Sequence, residues 1–371
     1  MKNGGLWIGL GLGACAAVAA TAAVLVAPPA GVRAFAGPAA ADEKRSGAWT
    51  IEPTGWKHEP AGGPAVQLTL KRRSESGKSN WNSSQPIALS DLRGLTAEQL
   101  RADTADARFE IVRDAGTIDM DGRFRKGTGA GHFTFVPSAE FVRALGGLGY
   151  GSLDGDTMFS LALHDVSRDF IRELAALGYE KVPLDQLVAL RIHGATPEFV
   201  RALKALGYAV DVHQLVAFRI HGVSPEFVRG LKDIGYERVE ADGLVAFRIH
   251  GVSPEFVGGL KALGYARADA DSLVALRIHG VSVEFVRELK QLGYEPPPSL
   301  DELVAMRIHG ASAEFVRALR GLGYEHVAVD DLVSMRIHGV SPEFIKRVNA
   351  RSGQRAPVDR LVELRIHGID E

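Results

Sequence analysis

The 371-residue sequence predicts an α+β protein, with a small antiparallel β domain followed by an α-solenoid of about eight short helical-hairpin repeats. Three observations carry this prediction. A block of about 29 residues recurs from Ser138 to the C-terminus, and self-similarity at a period of 20–50 residues marks a solenoid. Segments of period-two alternation fill the stretch before it. The first 42 residues are apolar and small, unlike either. The expected divisions are residues 1–42, 46–137 and 138–371.

Lys2 precedes a nearly unbroken apolar run from Leu6 to Ala27, and charge resumes only at Asp42. The pattern matches an export signal, with Ala34-Phe35-Ala36 or Ala39-Ala40-Ala41 as small-residue cleavage sites. The run also has the roughly 20 residues that an uncleaved membrane anchor needs. Leu12-Gly13-Ala14-Cys15 resembles a lipoprotein box, although eleven apolar residues follow the cysteine. All three readings place residues 43–371 outside the cytoplasm, with membrane contact only through the N-terminal segment. The single cysteine excludes an internal disulfide. A net charge of −2 provides no global field for nucleic acid or anionic lipid.

Between residues 46 and 137 the alternating segments are Ala65–Leu70, Arg108–Val112 and Gly131–Phe135. Asp114-Ala115-Gly116, Asp121-Gly122 and Lys126–Gly129 supply turns, so a sheet of five or six strands is expected. A short helix near Thr96–Asp103 interrupts it, opened by a capping-box-like start. Glu110, Asp114, Asp119 and Asp121 read as turn and solvent-face residues, since no spacing pairs them as glycosidase chemistry requires. Lys78–Ser84, which contains Trp81, reads as an exposed loop and a candidate recognition tip.

Each repeat unit predicts two helices of roughly eight and eleven residues. In the longer, Ser224 is the N-cap, Pro225 the first helical residue, and Phe227, Leu231 and Ile234 one apolar stripe. Gly235 and Tyr236 make a Schellman stop against Leu231, and Leu276, Gly280 and Val281 repeat the device in the shorter helix. Neither helix is stable alone, because isolated helices under about 12–15 residues are marginal. Eight pairs with layers about 8–10 Å apart make a curved rod roughly 70–80 Å long. Phe141, Phe170, Phe199, Phe227, Phe256, Phe285, Phe315 and Phe344 should form its interior column. All seven tyrosines also fall in one column, from Tyr150 to Tyr324.

Arg191, Arg219, Arg248, Arg277, Arg307, Arg336 and Arg365 form a column of candidate ligand-binding residues, since a guanidinium fork suits carboxylates and phosphates. The structural alternative places them at helix ends near orphan carbonyls, with Glu198, Glu226, Glu255, Glu284, Glu314 and Glu343 as salt-bridge partners. The histidines two residues later do not suit a metal, because one ring per layer sits too far from the next to share an ion. No cofactor or metal is expected. The sequence carries no HExxH, P-loop or GxSxG pattern, so no catalytic residues are proposed.

The succession of Arg-Ile-His-Gly, Val-Ser-Pro-Glu-Phe and Leu-Gly-Tyr resembles repeats in the extracytoplasmic extensions of bacterial BlaR/MecR-type membrane metallopeptidases. The stretch from Leu92 to Gly116 resembles the β region preceding them. The likeness covers about residues 47–368. The zinc-protease helix and the membrane spans of that family have no counterpart here. The resemblance therefore implies a sensing or docking part without its catalytic part. The expected function is non-catalytic binding of a protein or cell-envelope ligand along the repeats. Two alternatives are a regulatory subunit of a membrane peptidase or sensor, and an enzyme centred on the β domain near its carboxylates or His132.

Overall fold

The computed structural model describes residues 45–53, 64–73, 80–266 and 268–369. The apolar run at 6–27, Cys15, the cleavage motifs and the first residues of the Lys78–Ser84 segment lie outside them. No helix among the described residues is long and apolar enough to cross a membrane. Among the described residues the fold is α+β, a six-stranded antiparallel sheet followed by sixteen helices.

The strands are β1 Arg45–Pro53, β2 Ala65–Arg73, β3 Asn80–Ala88, β4 Ala105–Arg113, β5 Gly116–Arg125 and β6 Thr128–Pro137. Their order is β3-β2-β1-β6-β5-β4, with every neighbouring pair antiparallel. Alternation buries Trp49, Ile51, Leu68, Leu70, Phe109, Ile111, Ile118 and Phe133 on one face. Helix α1, Ala97–Arg101, carries the expected capping box: Gln99 N–H donates to Thr96 Oγ1 at 3.2 Å and Thr96 N–H to Gln99 Oε1 at 2.9 Å.

Asp121-Gly122 is not a turn. Both residues lie inside β5, paired with His132 and Gly131 of β6. The Trp49 ring crosses this strand pair and donates from Nε1 to the Asp121 carbonyl at 3.1 Å. A methyl at Gly122 would stand 2.6 Å from Trp49 Cζ2, so glycine here makes room for an indole rather than for a bend.

The even-numbered helices are α2 Ala139–Gly147, α4 Arg168–Ala176, α6 Pro197–Ala205, α8 Pro225–Asp233, α10 Pro254–Ala262, α12 Val283–Gln291, α14 Ala313–Gly321 and α16 Pro342–Ser352. Each begins at the Ser or Thr of the cap column, whose hydroxyl accepts from a phenylalanine N–H at 3.1–3.3 Å. That phenylalanine is buried in all eight. The odd-numbered helices are α3 Gly155–Leu163, α5 Leu184–Ile192, α7 Val212–His221, α9 Ala241–His250, α11 Ala270–Ile278, α13 Leu300–His309, α15 Val329–Ile337 and α17 Val358–Ile366. The two sets are nearly equal in length, against the expected eight and eleven. The final Leu of an even helix, as at Leu206, is its C-cap and already leaves the helical conformation.

Each helix packs on the one two positions further along, even on even and odd on odd. The Schellman stops form as expected: Tyr236 N–H donates to the Leu231 carbonyl at 3.0 Å, and Val281 N–H to the Leu276 carbonyl at 2.8 Å. Helix α3 lies against the sheet, where Phe159 stacks on Phe133 at 5.5 Å and meets Phe135 edge-on. The sheet core and the helical core are therefore continuous.

Candidate functional site

The arginine column is occupied within the array. Arg191, Arg219, Arg248, Arg277, Arg307, Arg336 and Arg365 lie over Phe170, Phe199, Phe227, Phe256, Phe285, Phe315 and Phe344, with Cζ 4.9–5.3 Å from each ring centroid. Each ring belongs to the even helix just before the arginine's own, so the contact ties the two helices of one hairpin together. Arg191, Arg219 and Arg248 also donate from Nε to the carbonyls of His164, His193 and His221, at 3.2, 3.1 and 3.4 Å. These carbonyls end the preceding odd helix, where a cation meets the negative end of the dipole. In the first unit Asp165 takes the glycine position, with φ 54°. It binds Arg191 Nη2 at 2.5 Å and Arg113 Nε at 3.4 Å, joining β4 to the helices.

The expected glutamate partners of these arginines are engaged elsewhere. Glu198 pairs with Arg201 in its own helix, at 3.0 Å. Glu198, Glu226 and Glu343 are held below the usual carboxylate range by hydrogen bonds from their own backbone N–H and from the cap hydroxyl. The helix N-terminus thus claims the carboxylate before a neighbouring arginine can.

The tyrosine column forms a second ladder, running forward. Tyr150, Tyr179, Tyr208, Tyr236, Tyr265, Tyr294 and Tyr324 donate from their hydroxyls to carbonyls of Val182, Val210, Val239, Ala268, Pro298, Val327 and Ala356, at 2.5–2.9 Å. Burial pushes the Tyr265 and Tyr294 phenols up to about 12. Lys204, Lys232 and Lys261 close the even helices in the same manner, donating to carbonyls of Leu177, Leu206 and Ile234. The sequence aligns these columns, but their partners lie a full unit away and no local pattern reveals them.

Trp81 lies in β3 rather than in a loop. Its ring is partly buried and meets Phe159 edge-on at 5.3 Å, so it packs the sheet against α3. In the β domain Asp114 accepts from Arg168, from its N–H at 3.0 Å and its Nε at 3.2 Å. Partial burial opposes ionisation of Asp114, yet the bonds and charge of Arg168 outweigh it and hold the carboxyl below the usual range. Asp119, Asp121 and His132 sit on the solvent side of the sheet, beside an open depression lined by Asp106, Arg108 and Arg123. Among the described residues no three His, Cys, Asp or Glu side chains converge as a metal would need.

The isoleucine between each arginine and histidine is the one large apolar residue of the motif that faces solvent. Ile192, Ile220, Ile249, Ile278, Ile308, Ile337 and Ile366 are 42–57 % exposed. The helix stop does not need them, since Leu276 and Val281 make that contact in α11 and both are buried. Two residues earlier, the buried position varies freely among Leu190, Phe218, Phe247, Met306 and Met335. One core column thus drifts among unit copies, although the buried leucine from Leu187 to Leu361 does not, while an exposed column stays isoleucine in all seven. Drift of a neutral surface residue would give the reverse.

The neighbouring histidine, from His193 to His367, is also the same in all seven units. Its carbonyl serves the arginine ladder in the first units, but that role needs no imidazole. One and two turns back on the same helix face come half-buried Val and Ala, as at Val274 and Ala275, and then an exposed carboxylate, as at Asp271. The odd-helix face is therefore an acidic stripe, an aliphatic floor, and an Ile–His stripe. The signal was present in the sequence as an apolar residue out of phase with the core.

The chain matches no family model, no curated protein and no solved structure.

Proposed function

We propose that the protein is a non-catalytic binding scaffold, acting outside the cytoplasm, that holds a protein or cell-envelope ligand on its odd-helix face. In this reading helices α2–α17 form an α-solenoid of eight helical hairpins. The even-on-even and odd-on-odd packing supports that architecture, as do the Arg–Phe and Tyr–carbonyl ladders repeated from unit to unit. The odd helices pack on each other more extensively than the even ones, which supports an array closing toward the odd side. A solenoid's usual product is such an extended surface. The apolar run at 6–27 supports export or anchoring.

One observation carries the reading: an exposed isoleucine stays unchanged through seven units while the buried residue two positions earlier changes among Leu, Phe and Met. Large apolar side chains aligned on a surface mark an interaction site, whereas scattered ones do not. The arginines, by contrast, hold the array together, and their alteration would act through folding.

A photo-crosslinking residue placed at Ile278, and separately at Arg287 on α12, tests the assignment in cells that make the protein. The reading expects discrete adducts from position 278 and none from position 287. Equal adducts at both positions, or adducts only from 287, would move the binding surface off the odd helices.

A further inference from the structure

We infer that the odd-helix face binds an extended, basic polypeptide segment carrying an aliphatic side chain at about every third residue. This rests on reading that face as a docking surface, and it specifies the partner. Three features of the face select this occupant.

The first is spacing. Packed helices lie about 8–10 Å apart, so successive isoleucines recur at about that interval. A polypeptide in polyproline II conformation rises about 3.1 Å per residue with three residues per turn, so one turn covers one unit and every third side chain faces the same way. A β-strand would turn that side chain to the opposite face. A side chain at every third residue would then meet each isoleucine in turn.

The second is the histidine column. An imidazole beside each isoleucine offers both a donor and an acceptor nitrogen. A helical partner satisfies its own backbone groups, whereas an extended segment presents free N–H and C=O groups along its length. One histidine per unit therefore fits an extended main chain better than a helix.

The third is charge. Asp185, Asp242, Asp271, Asp301, Asp330 and Asp359 are exposed on the same face, two turns before the isoleucine. Only α7 departs, with His213 in that place. The seven arginines next to the isoleucines are stacked on phenylalanines, and Arg191, Arg219 and Arg248 also cap carbonyls, with Arg219, Arg248 and Arg307 still exposed. The six carboxylates make no ion pair among the described residues, so the unpaired charge on this face is negative and complements Lys and Arg.

The test uses the full chain and fluorescence anisotropy with labelled synthetic peptides. The probe is six repeats of Lys-Pro-Leu. The controls are six repeats of Glu-Pro-Leu, six of Lys-Pro-Gly, and a basic helical peptide with leucine at every seventh residue. The triple variant Ile249→Ser, Ile278→Ser, Ile308→Ser removes the central apolar contacts, and its circular dichroism must match wild type. The expected result is saturable binding of the Lys-Pro-Leu probe, at least tenfold weaker binding of every control, and at least a tenfold loss in the triple variant. A second variant, Asp242→Asn, Asp271→Asn, Asp301→Asn, should bind more weakly and with less dependence on salt.

Absent binding of the probe, or equal binding by the isoleucine variant, would overturn the inference. Isoleucine-dependent preference for the acidic or the helical control would also overturn it, while leaving the face a docking surface. Failure of the docking reading itself shows separately, as loss of position-specific adducts in the crosslinking experiment.

Discussion

The guanidinium of Arg248 lies over the ring of Phe227, 5.1 Å from its centroid, and its Nε donates to the His221 carbonyl at 3.4 Å. Phe227 lies in the first turn of α8 and His221 closes α7, so one side chain of α9 grips its own hairpin partner and the last helix of the hairpin before. The ring contact recurs at all seven arginines of the column, and Arg191 and Arg219 make the same carbonyl bond. It gives the most basic column of the protein a cohesive role and leaves the surface beside it to isoleucine and histidine.

Arg248→Ala should destabilise the array by about 1–2 kcal/mol, from a lost cation–π contact and a lost carbonyl cap. Arg248→Lys should recover only part of this, because an ammonium cannot stack flat and cap together. Urea unfolding followed by circular dichroism at 222 nm checks both. Equal stability of wild type and Arg248→Ala would mean that the stacking contributes nothing.

Tyr236→Phe should cost about 1 kcal/mol, since the Ala268 carbonyl loses its donor while the ring packing stays. The same unfolding measurement, with Tyr236→Phe compared to wild type, gives the value directly.

The tyrosine ladder also predicts an alkaline limit to stability. Tyr265 and Tyr294 have folded-state values of about 12, raised chiefly by burial from an ordinary 10.0. A group with a raised folded value contributes fully below its unfolded value and loses that contribution as pH rises through the folded one. Stability should therefore hold up to about pH 10 and fall between 10 and 12. Absorbance titration at 295 nm should show these phenols ionising late, together with loss of helix. Tyr265→Phe with Tyr294→Phe should flatten the decline.

Gly251→Ala should destabilise by about 1–2 kcal/mol through its left-handed backbone, φ 72°. The added methyl would also stand 3.3 Å from Arg277 Nη2. Gly207→Ala shares the left-handed cost, φ 87°, but meets nothing within 4 Å. Thermal melts should rank Gly251→Ala as the more damaging of the two.

Much of this fold was legible because its devices are local. Ser224 bonds to Phe227 three residues on, and Gly235 and Tyr236 stop a helix within one turn, so spacing alone exposes them. The period-two runs of β2, β4 and β6 were equally direct. What stayed hidden depends on partners distant in sequence. Trp49 needs Gly122 to be flat beneath it, which disguised a strand interior as a turn. Trp81 reads as a polar-loop residue until Phe159 is set against it. The arginines look like a binding strip until the helix before each supplies a ring and, for Arg191, Arg219 and Arg248, the odd helix before that supplies a carbonyl. Subtracting them uncovers the isoleucines, whose exposure follows from helical phase but whose meaning depends on the invariance of a surface position.

Cohesion falls to the arginines and ligand contact is proposed for the isoleucines, and thermal unfolding separates the two without knowledge of any partner. The full chain would be melted as wild type, as Arg248→Ala, Arg277→Ala, Arg307→Ala, and as Ile249→Ser, Ile278→Ser, Ile308→Ser. A clear drop in melting temperature is expected for the arginine triple and an unchanged melt for the isoleucine triple. An isoleucine triple that melts as early as the arginine triple would contradict this division of roles, by showing that the exposed column stabilises the fold and is not held free for a ligand.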